Sequence, residues 1–393
     1  MLTAGPARRS QLTAARLTPA GRGAVATIRV CGRHAVSNPE LEESSSGANP
    51  LKPLDPMFRA ANGVPLSEQS LFRVSFGQWG TADVEELVVC RLSATTLEIH
   101  CHGGDAAVRR ILDDLAVAGC EVASWQELIQ FDGVLAAECG EALSRASTWR
   151  TTRFLLEQAG GVLKRAFERL AASGRTDSSE LSCQIDQLLA WADFGIHLST
   201  PWSIVLTGRP NVGKSSLINS LLGYHRAIVF DEPGTTRDVV TADTAFDGWP
   251  VVLSDTAGVR QTSGELESAG IALARQRLAT ADLVIVVIDA SQAPTSDDEQ
   301  LLLDYPNSIV VANKSDLQNQ WHERIPRQAI SVSCATGEGI SEVQQRIVDR
   351  LIPIVPKPGM AIPITERQVR LLQQIKSIEN AESRVAMIES LLG

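Results

Sequence analysis

Apolar residues change their spacing twice along this chain. From Trp202 onward they fall in short solid runs: Ser203–Thr207, Val251–Ser254, Leu283–Asp289, Ile309–Asn313 and Ile330–Ser333. Runs of that length without alternation fit strands covered on both faces. Between them apolar residues recur every three or four positions, over Ser215–Leu222, Leu266–Ala279 and Ser341–Leu351, which predicts helices. Alternating strands and helices predict an α/β domain over 201–353 with a doubly wound, mostly parallel sheet.

Before residue 122 the pattern is more mixed. Ala24–Val30, Ser70–Phe76, Leu87–Leu92 and Thr96–Cys101 predict strands, and Asp105–Ala118 predicts a helix with Val108, Ile111, Leu112 and Leu115 on one face. Residues 37–56, rich in Ser, Pro and acid, predict a loop or disordered insert. A small α+β domain over 1–121 is therefore expected. From about 122 to 198 helical patterns take over, in Leu135–Arg150, Thr152–Ala172 and Leu181–His197. Pro353–Pro363 reads as a linker and Glu366–Leu392 as a last helix. The helices group as a domain of 122–200 plus 354–393, into which the α/β domain is inserted.

Composition narrows the class. The chain has 393 residues, 44% hydrophobic and 21% charged, the balance of an ordinary globular protein of two or three domains. A net charge of −10 argues against a surface that tracks polyanions along its whole length. Cysteines are scattered, with no C-x-x-C pair, as in reduced proteins, so a cytoplasmic location is expected. His100-Cys101-His102 is the nearest approach to a metal cluster, but neighbours in a strand point to opposite faces, so no metal site is read there. No apolar run approaches the ~20 residues of a membrane span. Arg8, Arg9 and Arg16, with no acid in the first twenty residues, are a feature shared with transit peptides. The segment runs straight into a strand-like stretch and is read as part of the fold.

The candidate chemistry sits after the predicted strands. Gly208–Ser215 fits G-x-x-x-x-G-K-[ST] between a strand and a helix, where loop amides and a helix N-terminus face phosphate oxygens. Asn211, Val212, Gly213, Lys214, Ser215 and Ser216 are the expected phosphate contacts. Lys214 would reach the β- and γ-phosphates and Ser215 would hold Mg²⁺. In Asp255-Thr256-Ala257-Gly258, the carboxylate can hold a Mg²⁺-bound water and the glycine amide can contact the γ-phosphate. Asn313-Lys314-Ser315-Asp316 selects the base. Asp316 can accept N1–H and the 2-amino group of guanine, whereas adenine offers neither donor. Ser333-Cys334-Ala335 can offer backbone N–H groups to the guanine carbonyl. Gly234-Thr235-Thr236-Arg237-Asp238 supplies a threonine that ligates Mg²⁺ only beside a γ-phosphate, with Thr236 preferred over Thr235. GTP and GDP are thus the expected ligands of a P-loop GTPase domain. Val259 stands where a Ras-like enzyme places a water-orienting glutamine, so another residue must act, with Glu265 and Glu267 as candidates.

GRPNVGKSSLIN, DEPGTTRD, DTAGVR, NKSD and ESAGI, with TPAGRGAVATIRVCG and LEIHCHGG upstream, resemble the tRNA modification GTPase family of the MnmE/TrmE type, in order and over most of the chain. The resemblance implies that Glu267 positions the attacking water through a second water. It implies G-domain dimerisation around K⁺, held by Asn211 and by Phe230 and Glu232 of the loop leading into Gly234-Thr235-Thr236-Arg237-Asp238, with Thr235. From the residues alone, Asn211 reads equally as a turn former after Pro210. The resemblance further implies a homodimer, a FAD-carrying partner of the MnmG/GidA type and a wobble-uridine tRNA substrate. A reduced folate would supply the carbon and be contacted by Arg29 and Glu98. The chain departs from the family in its ending, ESRVAMIESLLG in place of C-[IL]-G-K, and in SWQELIQFDGVLAAECGEAL, which has no lysine. These departures support a second reading, a GTP-dependent switch that regulates a partner or RNA without folate chemistry.

Overall fold

The computed structural model describes the chain except residues 1–11, 20, 22, 33–48, 81–83, 130–132, 174–177, 224–240, 256–274, 379 and 393. It divides into two compact units, Met1–Glu141 with Ser390–Gly393, and Ala142–Glu389.

The first unit is built on a seven-stranded sheet of order β3-β4-β5-β6-β2-β1-β7. Its strands are β1 (Leu12–Arg16), β2 (Val25–Gly32), β3 (Phe58–Ala60), β4 (Val74–Trp79), β5 (Glu85–Arg91), β6 (Thr96–His102) and β7 (Glu121–Val122). Pairing is antiparallel except between β1 and β7. Helix α1 (Asp105–Val117) presses Val108, Ile111 and Leu115 onto a core that includes Ile28, Val30, Leu97 and Ile99. Burying each such side chain is worth about 1.5–3 kcal/mol.

Strand β1 occupies a segment whose pattern predicts no strand. Leu12 and Ala14 join that core, while Ala15 on the other face packs with Cys31 and with Leu128 of α2 (Trp125–Ile129). Small side chains buried on both faces leave no alternation to read. The predicted strand Ser70–Phe76 is displaced: ladder pairing starts at Val74, and Phe72 before it takes a left-handed φ of 57°. The predicted loop 37–56 is corrected at its end, where Lys52–Met57 forms a 3-10 turn held by the fully buried Leu51 and Leu54. Residues 37–48 lie outside the described residues.

The second unit opens with helices. α3 (Val134–Arg145) straddles the division, followed by α4 (Trp149–Glu157), α5 (Leu163–Ser173), α6 (Ser178–Leu189) and α7 (Ala192–Ile196). The predicted helix Leu135–Arg150 breaks because Thr148 turns extended and caps α4, its side chain accepting the Thr151 N–H. A six-stranded sheet follows in the order β13-β12-β11-β8-β10-β9. Its strands are β8 (Trp202–Thr207), β9 (Thr241–Phe246), β10 (Trp249–Asp255), β11 (Leu283–Asp289), β12 (Ile309–Asn313) and β13 (Ile330–Val332). All pairs are parallel except β9 with β10. The unpredicted strand is β9. A two-residue turn, Asp247-Gly248 with φ of 49° and 76°, joins it to β10, the left-handed pair that tight hairpins require.

Helices α8 (Lys214–Gly223), α9 (Ser296–Asp304) and α10 (Ile340–Leu351) alternate with these strands. Beyond the sheet, the chain returns to the helices that precede it. The buried Gln158 donates to the Met360 carbonyl at 3.0 Å and accepts from the Ile362 N–H at 3.1 Å. Lys376 of α11 (Glu366–Ser377) pairs with Asp186 of α6. The single helix predicted over Glu366–Leu392 is two, since Asn380 accepts from the Ser383 N–H at 3.0 Å and starts α12 (Ala381–Leu392) anew. No helix of the described residues is long and apolar enough to cross a membrane.

Candidate nucleotide site

Strand β8 pairs with β10 on one side and β11 on the other; the chain leaves β8 toward β9 and β10, whereas it leaves the neighbouring β11 toward β12, on the opposite side of the sheet. A crevice opens at such a switch point, outside the carboxyl ends of the strands. The loop from β8 into α8 is there, and the sequence dictates its shape. Gly208 has a φ of 154°, and a Cβ on it would lie 2.3 Å from the Val287 carbonyl oxygen. Gly213 has a φ of 98°, and a Cβ there would strike the Asn313 amide at 2.2 Å. Between them Asn211 adopts the left-handed region, φ 63°, which asparagine tolerates.

Lys214 is buried, and its Nζ donates to the carbonyls of Gly208 at 3.1 Å and Arg209 at 2.8 Å. The lysine therefore spans its own loop. Ser215, the next residue, donates from Oγ to Asp255 Oδ2 at 2.7 Å, across from β10. A hydroxyl and a carboxylate brought together are hard oxygen donors, the set that Mg²⁺ takes. Val212 is buried under the loop, and Ser216 is exposed on the first turn of α8.

Asn313 ends β12 inside the protein, and its Nδ2 donates to the Val212 carbonyl at 2.9 Å. Its Oδ1 accepts the Cys334 N–H at 3.3 Å, so this one side chain links three loops. Lys314, at a left-handed φ of 64°, turns back to donate to the Asn211 carbonyl at 3.2 Å and to Asp289 Oδ2 at 2.6 Å. Asp316 is exposed, and the Ser333 hydroxyl donates to its Oδ1 at 2.6 Å. Ala335, next after Cys334, is also exposed.

Thr235, Thr236, Phe230, Glu232, Thr256, Ala257, Gly258 and Glu267 lie outside the described residues. In the other unit, Arg29 and Glu98 stand directly opposite on β2 and β6. Arg29 donates from Nε and Nη2 to Glu98 Oε1 at 3.1 and 2.7 Å, and His100 Nε2 lies 3.5 Å from Glu98 Oε2.

Two residues at the crevice escape the motif reading. Arg209 forms a 2.9 Å ion pair with the buried Asp298, which also completes the capping box of α9 with Thr295. Asp289 ends β11 with its carboxylate buried. Burial pushes that carboxyl up, but hydrogen bonds from Lys314 and Ser291 outweigh it and hold it below the usual carboxylate range. The signal was present in the sequence: Asp289 closes an apolar run just as Asp255 does.

The model of the 50S ribosome-binding GTPase family matches residues 203–314. A tRNA modification GTPase MnmE of Geobacillus thermodenitrificans is 31% identical, over 95% of this chain and 89% of its own length. Its counterpart in Symbiobacterium thermophilum is 30% identical, over 97% and 90%. That of Fervidobacterium nodosum is 28% identical, over 91% and 84%. With a crevice built from those loops and likeness along nearly its whole length, the chain belongs to the MnmE family of tRNA modification GTPases.

Proposed function

We propose that this protein binds GTP and GDP at the carboxyl ends of β8, β11 and β12, hydrolyses GTP, and serves wobble-uridine modification of tRNA. One observation carries the reading. Asn313 and Lys314 are bonded to Val212 and Asn211, so the loop that would choose the base is tied to the loop that would hold the phosphates.

Asp316, oriented by the Ser333 hydroxyl, would accept both donors of the guanine edge, and the Cys334 and Ala335 amides would meet its carbonyl. The amides of residues 211–216 and the Lys214 ammonium would stabilise charge on the phosphates as the terminal bond breaks. Ser215 and Thr236 would hold Mg²⁺, with Asp255 acting through a bound water; the ion when bound neutralises phosphate charge. The Thr256, Ala257 and Gly258 backbone would follow the γ-phosphate, and Glu267 would orient the attacking water. Asn211, with Phe230, Glu232 and Thr235, would hold K⁺ between two G domains of a homodimer. A FAD-carrying partner of the MnmG/GidA type and a reduced folate, met by Arg29 and Glu98, would complete the chemistry on tRNA in the cytoplasm.

A second reading, a GTP-dependent switch without folate chemistry, is favoured by the pairing of Glu98 with Arg29, because that carboxylate already has its cation. Calorimetric titration with GDP, GTP and ADP in Mg²⁺ tests the first claim, with guanine nucleotides expected to bind and ADP not; preference for ADP would overturn it. Titrating the same protein with a reduced folate separates the two readings: heat supports the modification enzyme, and none supports the switch.

A further inference from the structure

We infer that Asp289 is a positioning residue for the nucleotide: its buried carboxylate fixes Lys314 across the phosphate loop and so couples base recognition to phosphate binding. This rests on the guanine-nucleotide reading of the site.

The carboxylate is fully committed. Oδ1 accepts both the Ser291 N–H at 2.9 Å and the Ser291 hydroxyl at 2.6 Å. Among the described residues, Oδ2 accepts only the Lys314 ammonium, at 2.6 Å. The Asp289 side chain is 4% exposed, against 32% for Lys314, so the acid is the fixed member and the lysine the one drawn in. The main chain is tied as well. Its carbonyl accepts the indole N–H of the buried Trp321 at 2.9 Å, and Asp289 pairs in register with Asn313.

Lys314 leaves β12 in the left-handed region, which throws its stem back over the strand ends. Without an anion there, the Asn211 carbonyl at 3.2 Å would be the ammonium's one partner among the described residues. A charge-assisted bond is about twice as strong as a neutral one. Asp289 therefore decides where the lysine stem lies, and through the Asn211 carbonyl it sets the turn of the phosphate loop.

The test uses the full chain with Mg²⁺ and GDP carrying a fluorescent N-methylanthraniloyl group. Asp289→Asn preserves shape and removes the charge. Release of the labelled GDP is expected to speed up about tenfold, and KM for GTP to rise in proportion, while kcat changes by less than about twofold. In a Lys314→Met background the same substitution is expected to add nothing, because the two residues act as one unit. An Asp289→Asn protein that releases at the wild-type rate overturns the inference. So does an acceleration of equal size in both backgrounds, which would mark Asp289 as a support of the Ser291 turn alone. Should Asp289→Asn fail to fold by far-ultraviolet circular dichroism, Lys314→Gln takes its place. It keeps a neutral donor toward the same oxygen and is expected to release about threefold faster; a wild-type rate would again overturn the coupling. Wild-type protein that takes up no labelled GDP would instead defeat the nucleotide reading itself, before any variant is compared.

Discussion

Asp316 and Glu267 are the side chains on which base choice and bond cleavage are expected to turn, on different grounds. Asp316 follows from the bonding needs of guanine, and the Ser333 hydroxyl takes one lone pair of Oδ1, so both oxygens keep capacity to accept. Asp316→Asn replaces one acceptor with a donor. Affinity for GTP is expected to fall at least about 100-fold, and xanthosine triphosphate should become the better ligand. Competition binding measures this, and unchanged selectivity would remove Asp316 from base recognition. Glu267 comes from resemblance, prompted by the valine that follows Asp255–Gly258. Glu267→Ala should leave GTP binding within about twofold and cut turnover about 100-fold or more. Single-turnover hydrolysis at the wild-type rate would assign the water to another residue. Asp289 shows what motif reading passes over: a residue whose partner is another side chain of the site carries no spacing rule of its own.

At the scale of elements, the hairpin β9–β10 and the start of α4 meet through specific bonds. The Thr148 hydroxyl donates to the Gly248 carbonyl at 2.7 Å while its side chain caps the helix. Arg150 donates to the Asp247 carbonyl at 2.7 Å and lies 4.4 Å over the Trp249 ring. Thr148→Ala removes the cap and the hairpin bond together, so a loss of about 1–2 kcal/mol is expected in urea unfolding. A loss no larger than that of an exposed Thr→Ala control would mean that the cap is inert. The buried parallel strands were legible because solid runs such as Val284–Ile288 have few alternatives. Strand β9, TADTAF, was not, since alanine and aspartate have low strand propensity and antiparallel pairing with β10 compensates. Its Asp-Gly turn was the available clue. The divided helices were legible in retrospect: Thr148 and Asn380 are both good N-cap residues set within otherwise helical runs.

At the scale of the second unit, one titrating junction joins the helices to the sheet. His197, buried after α7, has Nδ1 at 3.0 Å from the Thr200 carbonyl and Nε2 at 3.4 Å from Asp282 Oδ1, with Asp193 Oδ1 at 3.8 Å. A carbonyl and a carboxylate only accept, so this pair of neighbours favours the doubly protonated ring. Burial pushes His197 down, but Asp282 and Thr200 outweigh it and its pKa is raised. Asp282 is pushed up by burial, yet the bonds to His197 and the Ser203 N–H leave it below the ordinary range. The histidine's contribution is present below its unfolded value of about 6.5 and is lost as pH rises through the folded one. The aspartate's is present above about 3.9 and is lost as pH falls through its own folded value. His197→Gln should therefore lower Tm more at about pH 6 than at about pH 9, and an equal deficit at both would remove the charge from the junction. The imidazole also lies flat on Trp202, ring centres 4.7 Å apart and planes 18° from parallel. An excited indole passes an electron readily to an imidazolium and poorly to a neutral imidazole. The protein thus contains its own proton gauge: tryptophan emission should brighten as the medium turns alkaline, and the brightening should vanish with the histidine.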